Sequence, residues 1–378
     1  MKQEIQKEIQ RNILLNPGPA TTTSSVKAAM VVPDICPREE EFGDLFLNLA
    51  PKLLDVVNAR SSHEAVLIGS SGTGAVESAI TSCSSGKKKV LIIDNGAYGD
   101  RMAQMCDVYG IAHDVYKEVW GDVVDTNKLG KYLQDHQGEY EVMAFVHHET
   151  TSGVLNPLEE ICSLASENGL STIVDAMSSY AGVEIDLQRT KVDYLISSSN
   201  KCIQAMAGIG IVIVSKDELK RISEFKSKSH YFNLVKNFKN QKEKKQFLFT
   251  PPVQIVYSLA QGVKEYFEEG PNGRVNRYAD LYETMLKGMT ELGFKTLVPV
   301  EFHSKILTAF VEPNHPRYSF DGMHDYLFER GITIYPGKGA KEDTFRISNI
   351  GELNQSDINL FLEVMGSYLR EHRIDQLY

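Results

Sequence analysis

The sequence lacks the features that mark membrane-spanning, secreted and nucleic-acid-binding proteins. It contains no run of about 18 apolar residues, the length that a helix needs to cross a bilayer. Residues 1–10 are polar and charged, without the apolar segment of a secretory signal. The net charge is −10 and the pI about 5.6, whereas nucleic-acid binders present a basic face. These absences predict a cytoplasmic protein that binds neither membranes nor nucleic acids.

Cysteine is also scarce, with five residues among 378. Their number is odd, they are scattered, and no two of them form a CxxC pair. A disulfide framework or a zinc site needs paired and regularly spaced cysteines, so we expect reduced thiols. The cysteines are Cys36, Cys83, Cys106, Cys162 and Cys202.

What the sequence does contain, between residues 64 and 214, is an alternation of short apolar runs and helical stretches. The predicted strands are 65–68, 90–93, 142–146, 173–174, 194–196 and 209–214. The predicted helices are 74–83, 101–108 and 158–168. Continuous apolar runs between helices are typical of a mostly parallel sheet that is covered on both faces. Ligands of such sheets bind beyond the carboxyl ends of the strands.

The second half of the chain has a different pattern. Residues 216–245 are rich in lysine and asparagine, which favours a solvated helix and loop over a functional basic patch. A long helix is predicted over 254–269, followed by strands at 306–311 and 331–335 and a helix over 356–371. We therefore predict a large domain over residues 20–255. Residues 256–378, together with 1–19, are predicted to form a smaller α+β domain.

Two of the apolar strands end on a lysine and an aspartate. The strand at 172–176 carries Asp175, and the strand beginning at Tyr194 runs through a serine-rich turn to Lys201. This pair suits pyridoxal 5′-phosphate (PLP), because a lysine forms a Schiff base with its aldehyde. A carboxylate opposite the pyridine nitrogen keeps that nitrogen protonated.

A glycine- and serine-rich turn, Ser70-Ser71-Gly72-Thr73-Gly74, lies between a predicted strand and a predicted helix. Its small residues, hydroxyl groups and first-turn N–H groups favour a bound phosphate. The turn lacks the Gly-Lys-Ser/Thr ending of a P-loop and the spacing of a dinucleotide fingerprint. A turn without any ligand remains an open alternative.

Three other positions carry side chains that suit a planar, anionic ligand. Tyr98 follows a predicted strand among small residues, where it either stacks on a planar ligand or serves as an ordinary turn tyrosine. Hydroxyl groups at Thr150 and its neighbours are placed to reach a ligand's phenolic oxygen. Arg346 lies in an apolar, strand-like run, and a buried arginine needs an anion. That anion is either a structural carboxylate or a substrate's carboxylate or phosphonate.

A metal site is disfavoured in spite of the neighbouring residues His147, His148 and Glu149. The two histidines are adjacent in the sequence, so on a strand their side chains point to opposite faces of the sheet.

In this order, the motifs resemble those of the class V aminotransferases of PLP fold type I. The resemblance extends over residues 14–352 and is most specific at 95–101, 174–179, 196–204 and 334–338. The last two segments resemble the branch of the family that transfers the amino group of 2-aminoethylphosphonate to pyruvate. The family resemblance implies an α/β fold with a mostly parallel seven-stranded sheet and a smaller α+β domain.

The resemblance also implies a role for each candidate residue. Lys201 would bind the cofactor covalently and act in catalysis, and Asp175 would pair with the ring nitrogen. The cofactor phosphate would be held by Ser71, Gly72 and Thr73 with Asn200 beside it, and by Thr250 of a partner subunit in a homodimer. The cofactor ring would be contacted by Tyr98, Met177 and Thr150. Arg346 would bind the acidic group of the substrate.

Two segments depart from better-known members of the family. They are residues 34–40 and 205–207, both expected near the substrate entrance. The departures leave open another class V aminotransferase, acting on alanine, serine or glyoxylate. A PLP-dependent lyase or desulfurase usually needs a cysteine in a mobile polar loop, and we expect none of the five there. An intact set of lysine, aspartate and arginine argues against a purely binding or regulatory protein.

Overall fold

The computed structural model describes residues 12–270, 272–337 and 342–378. Two parts of the sequence predictions therefore lie outside the described residues. They are Lys338, which ends one of the segments of the resemblance, and residues 1–11, 271 and 338–341 of the predicted small domain. Within the part of the chain that the structure describes, no helix is long and apolar enough to cross a membrane.

The first part of the chain contributes strands and helices in alternation. The strands are β1 (Ile13–Leu14), β2 (His63–Gly69), β3 (Lys89–Asp94), β4 (His113–Lys117), β5 (Tyr140–Val146), β6 (His148–Glu149), β7 (Val154–Leu155), β8 (Ser171–Asp175), β9 (Tyr194–Ser198) and β10 (Ile209–Ser215). The helices are α1 (Ser24–Ala28), α2 (Glu40–Asp55), α3 (Gly72–Cys83), α4 (Ala97–Val108), α5 (Thr126–Asp135), α6 (Leu158–Glu167), α7 (Lys216–Ile222) and α8 (Leu234–Lys244).

The second part is mainly helical with short strands. The helices are α9 (Val253–Glu269), α10 (Gly273–Glu291), a 3₁₀ turn (Val300–Phe302), α11 (Phe320–Phe328) and α12 (Gln355–Glu371). The strands are β11 (Leu307–Val311), β12 (Ile332–Thr333), β13 (Tyr335–Pro336) and β14 (Thr344–Ser348).

A seven-stranded sheet organises the first part in the order β2-β10-β9-β8-β5-β3-β4. Strand β10 runs antiparallel to both of its neighbours, and the other neighbouring pairs are parallel. The predicted α/β fold with a mostly parallel sheet is therefore confirmed. Strands β8 and β9 are adjacent and parallel, so Asp175 and the turn after Ser198 emerge at the same edge of the sheet.

Both faces of this sheet are buried, as its continuous apolar strands require. On one face, Val66 and Ile68 pack with apolar residues of α3 and α4. On the other face, Leu67 packs in a cluster that includes residues of α2 and α9. Because alternate residues of a strand point to opposite faces, both sets must be apolar to form two layers of core.

The second part has its own core around a three-stranded antiparallel sheet, β11-β14-β13. Phe310 and Phe345 lie in that core with residues of α10, α11 and α12. Strand β1 pairs with β12, so residues 13–14 join this part of the molecule.

Helix α9 crosses the predicted domain boundary at residue 255. Its buried residues Val256, Leu259 and Val263 pack in the core of the large sheet. The boundary stays a prediction, and it falls in the first turn of this helix.

Candidate functional site

A cavity of about 410 Å³ lies at the carboxyl ends of β8 and β9, beside the beginning of α3. It gathers residues that are up to 137 positions apart in the sequence, between Ser71 and Gly208 (208 − 71 = 137). The predicted site residues that line it are Ser71, Gly72, Thr73, Tyr98, Asp175, Met177, Asn200 and Lys201. Its volume suits a small cofactor and its substrate.

The end of the cavity at α3 has the chemistry of an anion site. Ser71 is the N-cap residue of this helix, but its side chain makes no capping hydrogen bond. The first backbone N–H groups of a helix have no partner within the helix, so Gly72 and Thr73 offer donors here. The Ser198 hydroxyl donates to Asn200 Oδ1 at 2.9 Å, which leaves the Asn200 amide nitrogen as a donor. These groups fit the phosphate of PLP.

Met177 packs closely against the first turn of α3. A Cβ atom at Gly72 would lie 2.2 Å from Met177 Sδ and 2.5 Å from its Cε. The absence of a side chain at Gly72 therefore makes room for the Met177 thioether. A planar ring in the cavity would be bounded by this thioether and by the Tyr98 ring.

Lys201 follows β9, and its Nζ donates a hydrogen bond to the Pro17 carbonyl oxygen at 2.6 Å. Gly18 covers the lysine closely, since a Cβ atom there would lie 2.5 Å from Nζ. Burial lowers the pKa of Lys201, against the opposing effects of Cys202 and Asp175, and the positive charges of Arg346 and Arg101 lower it further. A lowered pKa increases the fraction of neutral amine, which is the form that attacks an aldehyde.

Asp175 ends β8 and is 5% exposed. Its Oδ1 accepts a hydrogen bond from the Met177 backbone N–H at 2.9 Å. Burial raises the pKa of this carboxyl to about 6, although the Met177 N–H and the charges of Arg101 and Lys201 act in the opposite direction. None of the ion pairs within the described residues includes Asp175. A buried carboxylate without a cation fits the protonated ring nitrogen of PLP.

Tyr98 is held by a carboxylate that the sequence analysis did not select as a site residue. It lies in the first turn of α4, and its backbone N–H donates to Glu149 Oε2 at 3.2 Å. Glu149 is fully buried, and its Oε1 also accepts hydrogen bonds from the Thr151 N–H at 3.1 Å and the Thr151 hydroxyl at 2.6 Å. Gly96 passes so close that a Cβ atom there would lie 2.2 Å from Glu149 Cγ. Burial raises the pKa of Glu149 to about 7.

Thr150 and Arg346 lie outside the lining of the cavity but contact each other. Arg346 Nη1 donates to the Thr150 carbonyl oxygen at 3.1 Å, and Nε donates to the Pro336 carbonyl oxygen at 2.9 Å. The ion pairs within the described residues do not include Arg346, although it is buried. Burial lowers the pKa of Arg346, and the nearby Tyr98 and the buried carboxylate of Glu149 oppose this effect. The charge of Arg346 contributes to lowering the pKa of Lys201.

Thr250 does not line the cavity of its own chain. It is exposed and directly precedes the two prolines before α9. The neighbouring Phe249 stacks on Tyr231 with ring centroids 4.8 Å apart. The role of Thr250 in a partner's site stays a prediction.

Both histidines next to Glu149 are accounted for by hydrogen bonds. His147 Nδ1 pairs with the Ser179 hydroxyl at 3.0 Å, and His148 pairs with Ser178 and Ser304, each at 2.9 Å. Burial lowers the pKa of His147 to about 4 and that of His148 to about 3, so both rings are neutral near pH 7.

Arg101 was missed by the sequence analysis as a site residue, although it lines the cavity. Its guanidinium lies 4.6 Å from the centroid of the Tyr98 ring. The sequence did contain a signal for it, namely the three-residue spacing between Tyr98 and Arg101, because residues i and i+3 of a helix share a face.

Cys36 differs from the other four cysteines in its exposure, and the expectation that no cysteine lies in a mobile loop stays a prediction. Cys36 is exposed in the loop before α2, whereas the other cysteines are buried. It does not line the cavity, so the structure gives it no part in the site.

Comparisons with known proteins agree with the family that the sequence motifs resemble. The family model described as "Aminotransferase class-V" matches residues 26–357. The 2-aminoethylphosphonate–pyruvate transaminase of Salmonella paratyphi B is 38% identical over 355 residues, which cover 93% of this chain and 95% of the relative. The enzyme of the same name from Bacillus cereus is 37% identical over 354 residues, covering 93% of this chain and 96% of the relative.

Solved structures share the fold at lower identity. Ureidoglycine–glyoxylate aminotransferase from Bacillus subtilis superposes with a TM-score of 0.89 at 20% identity, covering 97% of this chain and 94% of that one. Alanine–glyoxylate aminotransferase from Nostoc sp. also gives a TM-score of 0.89, at 23% identity and 96% coverage of both chains.

Proposed function

The chain belongs to the class V aminotransferases, and we propose that it transfers the amino group of 2-aminoethylphosphonate to pyruvate. The products are phosphonoacetaldehyde and L-alanine. The observation that carries this choice is the 37–38% identity, over 93% of the chain, to transaminases of that name from two genera. The glyoxylate aminotransferases among the solved structures share the fold at 20–23% identity.

As a member of this family, the protein is an enzyme that uses PLP. When bound, PLP supplies an electron sink for the carbon that carries the amino group. In our proposal, Ser71, Gly72, Thr73 and Asn200 would hold its phosphate, and the carboxylate of Asp175 would pair with its ring nitrogen. Tyr98 and Met177 would enclose the ring, and Thr150 would support its phenolic oxygen.

Lys201 has two proposed tasks, both performed by Nζ. It would bind the cofactor covalently, and as a free amine it would remove a proton from the carbon that carries the substrate's amino group. Both tasks need the neutral amine, which is consistent with the lowered pKa of Lys201. The hydrogen bond to the Pro17 carbonyl positions Nζ without a competing carboxylate.

Arg346 is proposed to bind the acidic group of each substrate in turn. Its guanidinium is oriented by the carbonyl oxygens of Thr150 and Pro336, which are neutral partners. No ion pair within the described residues includes Arg346, so its guanidinium can pair with the dianionic phosphonate of one substrate and the carboxylate of the other.

We also propose a homodimer in which Thr250 of one subunit reaches the cofactor phosphate of the other. The support is that Thr250 is exposed and does not line the cavity of its own chain. Light scattering should then give a mass of roughly twice 42.3 kDa. Mixed dimers of Lys201→Ala and Thr250→Ala chains would contain one complete site and should recover activity. A monomeric mass would contradict the shared site.

A half-reaction screen tests the proposed substrate. Candidate amines are added to the PLP form, and absorbance follows its conversion to the pyridoxamine form. 2-Aminoethylphosphonate and L-alanine should convert it, whereas L-serine and glycine should do so much more slowly. Faster conversion by L-serine or glycine would instead assign the chain to a glyoxylate-type activity.

A further inference from the structure

Arg101 is a cation in the cavity that the roles above leave without a function. Its guanidinium lies over the ring of Tyr98, 4.6 Å from the centroid, and its Nη1 is 3.4 Å from Thr73 Oγ1. The first contact fixes Arg101 beside the residue that would stack on the cofactor ring. The second places it at the first turn of α3, where the donors for a phosphate converge.

Among the described residues, no carboxylate lies within ion-pair distance of Arg101, although its charge opposes the rise that burial causes in the pKa of Asp175. None of the ion pairs formed by the described residues includes Arg101. The adjacent Asp100 accepts a hydrogen bond from Gln104 at 2.6 Å. A guanidinium stays protonated at any accessible pH, so its charge is available to an anionic ligand that enters the cavity. Because the described residues give this charge no ion-pair partner, an anionic ligand in the cavity can pair with it.

The kind of anion follows from the surrounding donors. Thr73, the N–H groups that begin α3 and the planar guanidinium offer several hydrogen bonds from different directions. A tetrahedral group with three acceptor oxygens satisfies such a set, and a guanidinium binds two of those oxygens side by side. We propose that Arg101 binds a dianionic phosphoryl group in this cavity.

Two sources of that group are compatible with this chemistry, namely the phosphate of the cofactor and the phosphonate of the amino donor. The first rests on membership of the family, and the second rests on the function proposed above. The contact with Thr73 favours the cofactor phosphate.

The test compares Arg101→Gln with Arg101→Lys, which keeps the charge but loses the planar guanidinium that donates two parallel hydrogen bonds. Arg189→Gln serves as the control. Arg189 is an exposed arginine that pairs with Glu184 and does not line the cavity. Each apoprotein is titrated with PLP and with pyridoxal, which lacks the phosphate. The KM values of each loaded enzyme are then measured for 2-aminoethylphosphonate and L-alanine.

A role at the cofactor phosphate predicts that Arg101→Gln weakens PLP binding about ten- to a hundred-fold, with pyridoxal binding unchanged and partial recovery in Arg101→Lys. A role at the substrate predicts unchanged PLP binding and a KM raised about ten-fold or more for 2-aminoethylphosphonate but not for L-alanine. Equal losses for PLP and pyridoxal, or no loss in any measurement, would overturn the proposal. If the wild-type enzyme does not use 2-aminoethylphosphonate, the proposed function fails, and the comparison of PLP with pyridoxal still decides the role of Arg101.

Discussion

A single methyl group at Gly72 should weaken cofactor binding without weakening the fold. In Gly72→Ala, the new Cβ atom would lie 2.2 Å from Met177 Sδ, 2.5 Å from its Cε and 3.2 Å from Ser198 Cβ. Non-bonded atoms of this size pack at about 3.5–4.0 Å, so the thioether has to move by on the order of 1.5 Å. Met177 lines the cavity, and its displaced side chain enters the space for the cofactor ring.

The expected effects on folding nearly cancel. Alanine at the first position of α3 improves helix propensity by up to about 1 kcal/mol. Rearranging the Met177 side chain costs about 0.5–1.5 kcal/mol. Cofactor binding bears an additional cost, because the ring must push the displaced thioether aside. Such overpacking typically costs about 1–3 kcal/mol, which corresponds to a loss of roughly ten- to a hundred-fold in affinity.

Two measurements separate these effects. Urea unfolding of the apoprotein gives the stability, and titration with PLP followed by absorbance gives the dissociation constant. Gly130→Ala, in α5, is a matched control, since a Cβ atom there would lie 3.3 Å from Leu164 Cδ2 and Gly130 does not line the cavity. It should leave PLP binding unchanged.

The double variant Gly72→Ala/Met177→Ala provides the critical comparison. Removing the thioether relieves the clash, so PLP should bind the double variant more tightly than additivity predicts, by about 1 kcal/mol or more. If Gly72→Ala binds PLP like the wild type, the packing argument is refuted. Strict additivity of the two substitutions would show that Met177 is not the obstruction.

Three further predictions concern other residues of the chain. Arg346→Lys loses the fork geometry, so kcat/KM should fall about ten-fold or more with both substrates while the dissociation constant of PLP changes less than about two-fold; equal turnover in the variant would exclude the proposed role. Burial raises the pKa of Glu149 from 4.5 to about 7, so its contribution to apoprotein stability is complete below pH 4.5 and is lost as the pH rises through 7. This loss in the free energy of unfolding is on the order of 3 kcal/mol between pH 4.5 and 7, and Glu149→Gln should abolish it. Urea unfolding at several pH values measures the effect, and an unchanged pH profile in the variant would contradict the raised pKa. A thiol reagent should modify one cysteine per native chain, the exposed Cys36, and rapid modification that persists in Cys36→Ser would show that a buried thiol is accessible.

The strands of the large sheet were predictable where they form continuous apolar runs. The run at 142–146 is buried on both faces and became β5. Strand β4 was not predicted, because it lies at the edge of the sheet, is partly exposed and carries His113, Asp114 and Lys117. An edge strand needs no continuous apolar sequence, so its pattern does not differ from that of a polar loop.

The beginning of α4 shows a second limit of local sequence patterns. Sequence analysis predicted a helix from residue 101, whereas the structure begins it at Ala97. The N-cap residue, Gly96, has no side chain to cap the helix, and the Tyr98 N–H is instead satisfied by Glu149, 51 residues away. Capping by a distant carboxylate leaves no signal in the neighbouring sequence.

In the site, too, residues that follow apolar strands were predictable, whereas residues placed by tertiary packing were not. Lys201 and Asp175 could be proposed from the sequence because each follows an apolar strand, and parallel neighbours end at the same edge. Arg101 and Glu149 were missed because their positions depend on which helix and loop pack against that edge. The close cover of Lys201 by Gly18 is likewise a product of tertiary packing, since these residues are 183 positions apart (201 − 18 = 183).

The arginines near the cavity moderate a conflict that burial creates. A transaminase needs a neutral lysine to react with an aldehyde and an ionised aspartate to hold a protonated ring nitrogen. Burial favours the neutral form of both groups, so it lowers the pKa of Lys201, as required, but raises the pKa of Asp175. The positive charge of Arg101 lowers both pKa values, and that of Arg346 contributes at Lys201. Cations near this pair therefore reinforce the useful effect of burial on the lysine and oppose its unfavourable effect on the aspartate.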